Sequence, residues 1–301
     1  MIMQPIEIQN VTKDFGQGRG VFDISFSVKE GEVFGYLGPN GAGKSTTIRQ
    51  LMGFVKPQRG SLRVLGMDCF RQAAEIHKQI GYLAGEIAFV ENMNGMEYIR
   101  FIAQLRGMKD DTRMKELIDM FDLNPTGKIR KMSKGMKQKI ALVTAFMDSP
   151  KVIILDEPSS GLDPLMQNRF VDLILEEKKK GTTILMSSHI FEEVERTCDR
   201  TAIIRQGKIV DTVDMGEFSK IRNQVYTVTL SSEEQAVKLS NQPELTVQSR
   251  DGVIVKLLVN NNVAGSLKIL AEYEPVDLQI AAQSLEDVFL HYYGKGDEKD
   301  A

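Results

Sequence analysis

The sequence predicts an α/β protein in which a buried parallel sheet is flanked by an antiparallel β edge subdomain and a helical subdomain, with a small α+β C-terminal module. Three observations predict it. Residues 151–156 and 182–187 are compact runs of Ile, Leu and Val without alternation, the pattern of parallel strands covered on both faces. Between them a helix is expected, with Pro164 at its first turn and Gly181 just past its end. A glycine-rich loop at residues 38–46 stands between an apolar run and a helical pattern, which makes a strand–loop–helix unit.

The remaining elements follow in order. Residues 6–11 and 21–28 alternate apolar and polar positions (Ile6, Ile8; Phe22, Ile24, Phe26, Val28) and read as half-buried antiparallel strands. The run 32–37 reads as a buried strand, and 45–54, with Ile48, Leu51 and Met52, as a helix. Gly60 opens a strand near 61–65. Residues 96–147 are predominantly helical, with amphipathic spacing over 96–105 and 112–121 and punctuation at Pro125 and Gly127. Residues 202–205 and 208–211 form a hairpin around Gln206-Gly207. Composition shifts near residue 220, and beyond it strands are expected at 225–230, 245–248, 253–258 and 276–280, with helices at 233–240 and 263–271. That is the order of a split βαβ module. The expected domains are 1–219, containing a helical subdomain at about 90–147, and 220–293, followed by a disordered polar tail at 294–301.

A chain of 301 residues has room for one large domain and a small one. Its 42% hydrophobic and 26% charged residues are those of a soluble globular protein. A net charge of −3 gives no global basic footprint, so no nucleic-acid partner is expected. The two cysteines, Cys69 and Cys198, lie far apart and outside any metal-ligand spacing; they imply a reducing compartment and no disulfide framework. No charged segment followed by an apolar run appears after Met1, and no stretch reaches the roughly 18–20 apolar residues that cross a bilayer. Work at a membrane would therefore need a spanning segment from another chain.

The chemistry concentrates at two places. Gly38, Pro39, Asn40, Gly41, Ala42, Gly43, Lys44, Ser45 and Thr46 fit the phosphate-cradling pattern Gly-x-x-x-x-Gly-Lys-Ser/Thr. Its glycines let backbone N–H groups turn toward oxyanions, and the following helix adds its positive end. Lys44 is expected to neutralise β- and γ-phosphates, and the Ser45 hydroxyl to hold Mg²⁺. The run Val152-Ile153-Ile154-Leu155 then ends in Asp156-Glu157, delivering two carboxylates to the ligand edge of an α/β sheet. Asp156 is expected in the Mg²⁺ shell, and Glu157 beside the γ-phosphate, orienting or deprotonating the attacking water.

Two further clusters go beyond a generic phosphate-loop enzyme. Met132-Ser133-Lys134-Gly135-Met136-Lys137-Gln138 precedes the acidic strand, and Ser160-Gly161-Leu162-Asp163 follows it. With them, the chain resembles the ATP-binding subunits of ABC transporters from about residue 5 to 215. The resemblance implies a P-loop NTPase core of the ABC type, with ATP and Mg²⁺ as its ligands. Ser133 to Met136 would be the signature, Ser160 to Asp163 the D-loop, His189 in Ser188-His189 the switch histidine, and Phe15 in Thr-Lys-Asp-Phe-Gly the aromatic residue that stacks on adenine. It further implies a homodimer, or pairing with a homologous ATPase subunit, in which Ser133, Gly135 and Asp163 serve the ATP of the second copy. ATP hydrolysis would drive transport through a separately encoded integral membrane permease, with this chain peripheral on the cytoplasmic face. The segment Ser284-Leu285-Glu286-Asp287-Val288-Phe289 is similar to the exporter branch of the ABC-2 type, which handles drugs, antibiotics, lipids or polysaccharides.

The chain departs from the family pattern twice. Gly85 stands where a glutamine usually reaches Mg²⁺, which leaves Glu86 as the candidate to take over that contact. Met132, Lys134 and Met136 replace consensus leucine, glycine and glutamine, while Ser133 and Gly135 keep the phosphate-facing donors. Phe15 and His189 each also have a plain packing alternative. His77 and His291 are expected at the surface, and the run Lys178-Lys179-Lys180 at a helix C-terminus favoured by its dipole. Phe89, Val90, Met93 and Met96 fit either a groove for a membrane partner or ordinary core. A single cassette without a coiled-coil insertion disfavours a DNA- or ribosome-acting ATPase, and no acceptor pocket suggests a kinase.

Overall fold

The structure, a computed structural model, describes residues 4–90, 92–221, 224–259, 262–282 and 284–286. It divides into two compact units, Met1–Gly216 and Glu217–Ala301. The expected tail, His291 and residues 287–289 of the exporter-like segment lie outside the described residues.

In the first unit, β1 (Ile6–Asp14) pairs antiparallel with β2 (Gly20–Val28). After β3 (Val33–Leu37), α1 (Lys44–Leu51) leads to β4 (Arg59–Val64), which pairs antiparallel with β1, and to β5 (Met67–Asp68). These give an edge sheet ordered β2-β1-β4-β5. The chain then forms α2 (Ala73–His77), β6 (Ile80–Leu83), α3 (Gly95–Leu105), α4 (Thr112–Met120) and α5 (Lys134–Phe146), and returns through β7 (Val152–Asp156), α6 (Pro164–Lys179), β8 (Thr183–Ser188), α7 (Phe191–Thr197), β9 (Arg200–Arg205) and β10 (Lys208–Asp214); α8 (Met215–Ile221) begins in this unit and runs on into the second. The central sheet is ordered β10-β9-β3-β8-β7-β6, parallel except for the β9–β10 hairpin.

Every residue of β3, β7 and β8 is buried, which is why these strands read as unbroken apolar runs. Ile6, Ile8 and Ile24 of the edge sheet, Ile48 and Leu51 of α1, and Phe34, Tyr36, Ile154, Leu185 and Ile204 of the central sheet share one core. Burying α1 between two sheets fixes the loop before it. The strand β6 left no clear pattern because it is short and holds Gly81, where a Cβ would lie 2.2 Å from the Ala145 carbonyl oxygen; the close approach of α5 requires glycine there. His77 is half-buried rather than exposed, with Nε2 2.9 Å from the Met52 carbonyl oxygen. Both cysteines are free and buried, and desolvation pushes their thiols up to about 12.

The helical region docks through charge. Arg113 of α4 reaches Glu177 of α6 at 2.7 Å, and Arg169 of α6 donates to the Met120 carbonyl. An Asn94 capping box starts α3 one residue earlier than its amphipathic pattern. The run at the end of α6 is paired as well as dipole-favoured: Lys178 meets Asp199 at 2.7 Å and Lys180 meets Glu176 at 2.6 Å.

The second unit holds β11 (Gln224–Thr229), α9 (Glu233–Ser240), β12 (Thr246–Asp251), β13 (Ile254–Val259), α10 (Val263–Glu272) and β14 (Asp277–Ala282). Its antiparallel sheet is ordered β12-β13-β11-β14 around Tyr226, Val228, Val255, Leu257 and, from the helices, Leu239 and Leu270.

One ion pair locks the turn before β3 to the central sheet. Arg200 Nε donates to Glu32 Oε1 at 2.5 Å, and its Nη2 donates to the Ser27 carbonyl at 2.8 Å. Arg200→Met strands the buried Glu32 carboxylate and lowers unfolding free energy by about 3 kcal/mol in urea titration, whereas the paired change Arg200→Met with Glu32→Met costs less.

Candidate nucleotide-binding and hydrolysis site

The loop between β3 and α1 is shaped by what its glycines must avoid. A Cβ on Gly38 would lie 2.3 Å from the Ile204 carbonyl oxygen, and Gly43 has φ +112° with Val21 Cγ1 2.7 Å from its Cβ position. The N-cap of α1 is Gly43 itself, with no side-chain cap, so the amides of the first turn keep their donors for a ligand. Lys44, 5% exposed, turns inward: Nζ donates to the carbonyls of Gly38 (2.6 Å) and Pro39 (3.1 Å) and lies 3.0 Å from Glu157 Oε1.

The carboxylates arrive by register. In parallel pairing, Leu37 of β3 faces Ser188 of β8, and Ser187 faces Asp156 of β7, so three strand ends open side by side. Asp156 is buried; the Ser187 hydroxyl donates to its Oδ1 at 2.6 Å and accepts from the Glu157 N–H at 3.0 Å. Glu157 takes a left-handed φ of +52°, which turns its side chain out of the strand's alternation at a backbone cost of roughly 1–3 kcal/mol. Its Oε2 lies 2.5 Å from His189 Nδ1. A carboxylate only accepts, so Nδ1 carries the hydrogen of this contact.

Lys44 and Glu157 border a groove of about 420 Å³ that Asn40, Gly41, Gly43, Ser45, Thr46 and Phe15 also line, whereas Asp156 and His189 are not among its lining residues. Phe15 follows β1 directly and is 52% exposed, with Lys13 Nζ 5.4 Å from its ring centre. Gly38, Pro39 and Ala42 do not line the groove; they act beneath it, the first two through Lys44 and the third by accepting the Gly207 N–H at 2.9 Å. Sequence reasoning missed the opposite wall, Gly18, Arg19, Gly20, Gln206 and Gly207. The Phe22 N–H bonds to the Gly207 carbonyl at 2.7 Å, closing that wall; the one signal for it was the hairpin at Gln206-Gly207.

Ser133, Gly135 and Asp163 are not in this groove. Ser133 N-caps α5, accepting from the Met136 N–H at 3.2 Å, and is exposed. Asp163 N-caps α6, accepting from the Met166 N–H at 3.0 Å. The two loops touch each other: Lys134 Nζ donates to Ser160 Oγ at 2.8 Å, and Gln138 Nε2 to the Pro158 carbonyl at 2.7 Å.

For Mg²⁺, the Ser45 hydroxyl and the Asp156 carboxylate are the hard oxygen donors the ion prefers, and together with phosphate oxygens they fit it. Among the described residues, no three His, Cys, Asp or Glu side chains gather as a metal group. Glu86 is not brought to this position: it is 90% exposed, outside the groove, and lies 3.6 Å from Arg49 Nη2. Gly85 presses on Asp156 instead, since its Cβ would be 2.8 Å from Oδ2. Gly85→Ala therefore displaces the Asp156 carboxylate, and steady-state hydrolysis falls about tenfold with the fold retained by circular dichroism.

Comparison with known proteins agrees with this geometry. Residues 21–160 match the ABC transporter family. The chain is 31% identical to the bacitracin transport ATP-binding protein BcrA of Bacillus licheniformis, over 97% of this chain and 98% of that one. It is also 31% identical to the linearmycin resistance ATP-binding protein LnrL of Bacillus subtilis (strain 168), over 96% and 98% respectively. Among solved structures, an ATP binding subunit of an ABC transporter superposes with a TM-score of 0.64 at 30% identity, covering 71% of this chain and 92% of that one. A phosphate loop, an acidic strand end and a histidine strand end on adjoining parallel strands, in a chain matched end to end by such relatives, place it in one family: it is an ATP-binding subunit of the ABC transporters, and it binds and hydrolyses ATP.

Proposed function

We propose that two copies of this chain, or this chain and a homologous subunit, close around two ATP·Mg²⁺. Hydrolysis then drives export of a drug, antibiotic, lipid or polysaccharide through separate membrane subunits at the cytoplasmic face. The observation that carries the dimer is the position of the signature. Ser133 caps a 13-residue helix whose N-terminus is built for phosphate, yet it lies outside the chain's own phosphate groove. A second chain supplies the missing phosphate with the least rearrangement, in a two-fold arrangement. The names of BcrA, for bacitracin transport, and LnrL, for linearmycin resistance, support export of an antibiotic or related molecule. Among the described residues no helix is long and apolar enough to cross a membrane, which supports a separate permease. Phe89, half-buried against Tyr98 at 4.9 Å, and exposed Val90 are the apolar residues offered for that contact.

In this reading phosphate draws Lys44 away from Glu157. The carboxylate, now held by His189 alone, takes a proton from the attacking water or orients it. His189 pins Glu157 through Nδ1, and only as imidazolium can it also donate Nε2–H to the γ-phosphate. Ser45 and Asp156 would hold Mg²⁺, which would supply charge neutralisation at the phosphates. Phe15 stacks on adenine.

Glu157→Gln slows phosphate release about a hundred- to ten-thousand-fold while ATP binding survives, and light scattering then shows a doubled mass with ATP. Adding Ser133→Arg returns that variant to monomer; a mass unchanged by ATP in Glu157→Gln contradicts the sandwich. Phe15→Ala raises the ATP dissociation constant about tenfold, measured by fluorescence titration.

A further inference from the structure

The helix after His189 carries a buried acid that the hydrolytic scheme does not use. Glu193, in the first turn of α7, is 6% exposed. Its Oε2 accepts from Ser159 Oγ at 2.6 Å and from Ser188 Oγ at 3.3 Å. Ser159 lies two residues after Glu157, and Ser188 immediately before His189. Ser188 Oγ also accepts the Ile190 N–H at 3.0 Å, which bends the chain around His189. One carboxyl therefore joins the backbone that carries the base to the backbone that carries its histidine.

We propose that Glu193 is a positioning residue for the Glu157–His189 pair, clamping the two loops through the Ser159 and Ser188 hydroxyls so that the 2.5 Å contact is held before substrate arrives. The inference rests on the hydrolytic roles proposed for that pair. Glu193 does not touch the reacting atoms; it acts through two serines on the groups that do.

The chemistry of the clamp is unusual. Its Oε1 is buried with no hydrogen-bond partner, and among the described residues no cation is paired with it. Arg196, one turn on, donates to Asn168 at 2.7 Å and lies 3.7 Å from Glu192 instead. The titratable groups facing Glu193 are Glu157 of the β7 loop and His189 of the β8 loop; Cys198 follows α7, and Glu192 and Arg196 line a cleft beside Glu193 with Asn168 of α6. Desolvation, against the two serine hydrogen bonds and with repulsion from Glu157, pushes the carboxyl up to about 7. A raised carboxyl stabilises the fold fully below its ordinary value of 4.5, and that stability is lost as pH rises through 7. Glu193→Gln keeps a neutral acceptor at the serines and cannot ionise.

The test uses the full chain and ATP hydrolysis with three variants. Glu193→Ala should lower kcat about tenfold or more with the KM for ATP within about twofold, because the groove is not touched. Glu193→Gln should restore kcat at pH 7. Its melting temperature relative to wild type should rise between pH 5 and pH 8. Ser159→Ala, which leaves no large cavity, should lower kcat in the same direction and guards against misfolding of Glu193→Ala. Wild-type kcat in both Glu193→Ala and Ser159→Ala would overturn the role of Glu193 alone. Hydrolysis surviving Glu157→Gln in the same assay would overturn the pair and Glu193's role with it.

Discussion

The Glu157 carboxylate is shared by two cationic or donor groups, Lys44 at 3.0 Å and His189 at 2.5 Å, and the rest of the first unit is arranged to permit that sharing. Lys44 comes from the loop after β3, Glu157 from the end of β7, and His189 from the end of β8. Only parallel pairing in one register brings three strand ends from distant parts of the chain to the same edge. The buried runs also supply the rigidity, because strands covered on both faces cannot slip without breaking the close packing of their side chains on both sides. The Lys44–Glu157 pair satisfies both charges without substrate and competes with phosphate for Lys44, so the geometry is poised rather than finished.

Much of the large unit was legible because its physics is local. Unbroken apolar runs mark β3, β7 and β8, and Pro164 and Gly181 bracket α6. The phosphate loop is a contiguous segment whose glycines, lysine and hydroxyls act together, so spacing alone exposes it. The second unit was read in correct element order for the same reason: each strand carries its own alternation or apolar run, though ends differed by up to three residues.

What escaped reading is non-local. Gly18, Gly20 and Gly207 form a groove wall only because β2 and the β9–β10 hairpin close on the loop, and nothing near residue 207 announces a partner near residue 20. The strand β6 was invisible because Gly81 answers to a carbonyl of α5, not to strand propensity. The change at Gly85 was visible, but its reason was not: the residue lies against Asp156, so that position is closed to a longer side chain in this arrangement. Glu86 looked like a substitute from its neighbourhood in sequence, whereas its side chain stands in solvent beside Arg49. Glu193 sits in a short, charged helix where three glutamates of similar context give no hint of which one is buried.

The single-chain geometry leaves the signature and the D-loop bound to each other and away from their own phosphate groove. Their partner is most directly identified by proximity. One chain carrying only Asn40→Cys is mixed with another carrying only Ser133→Cys, and the pair is oxidised with and without ATP; the native thiols, both buried, stay out of reach. Covalent dimers that form only in the mixture and only with ATP are expected. No crosslink between the two chains in the presence of ATP would contradict a site built from two copies.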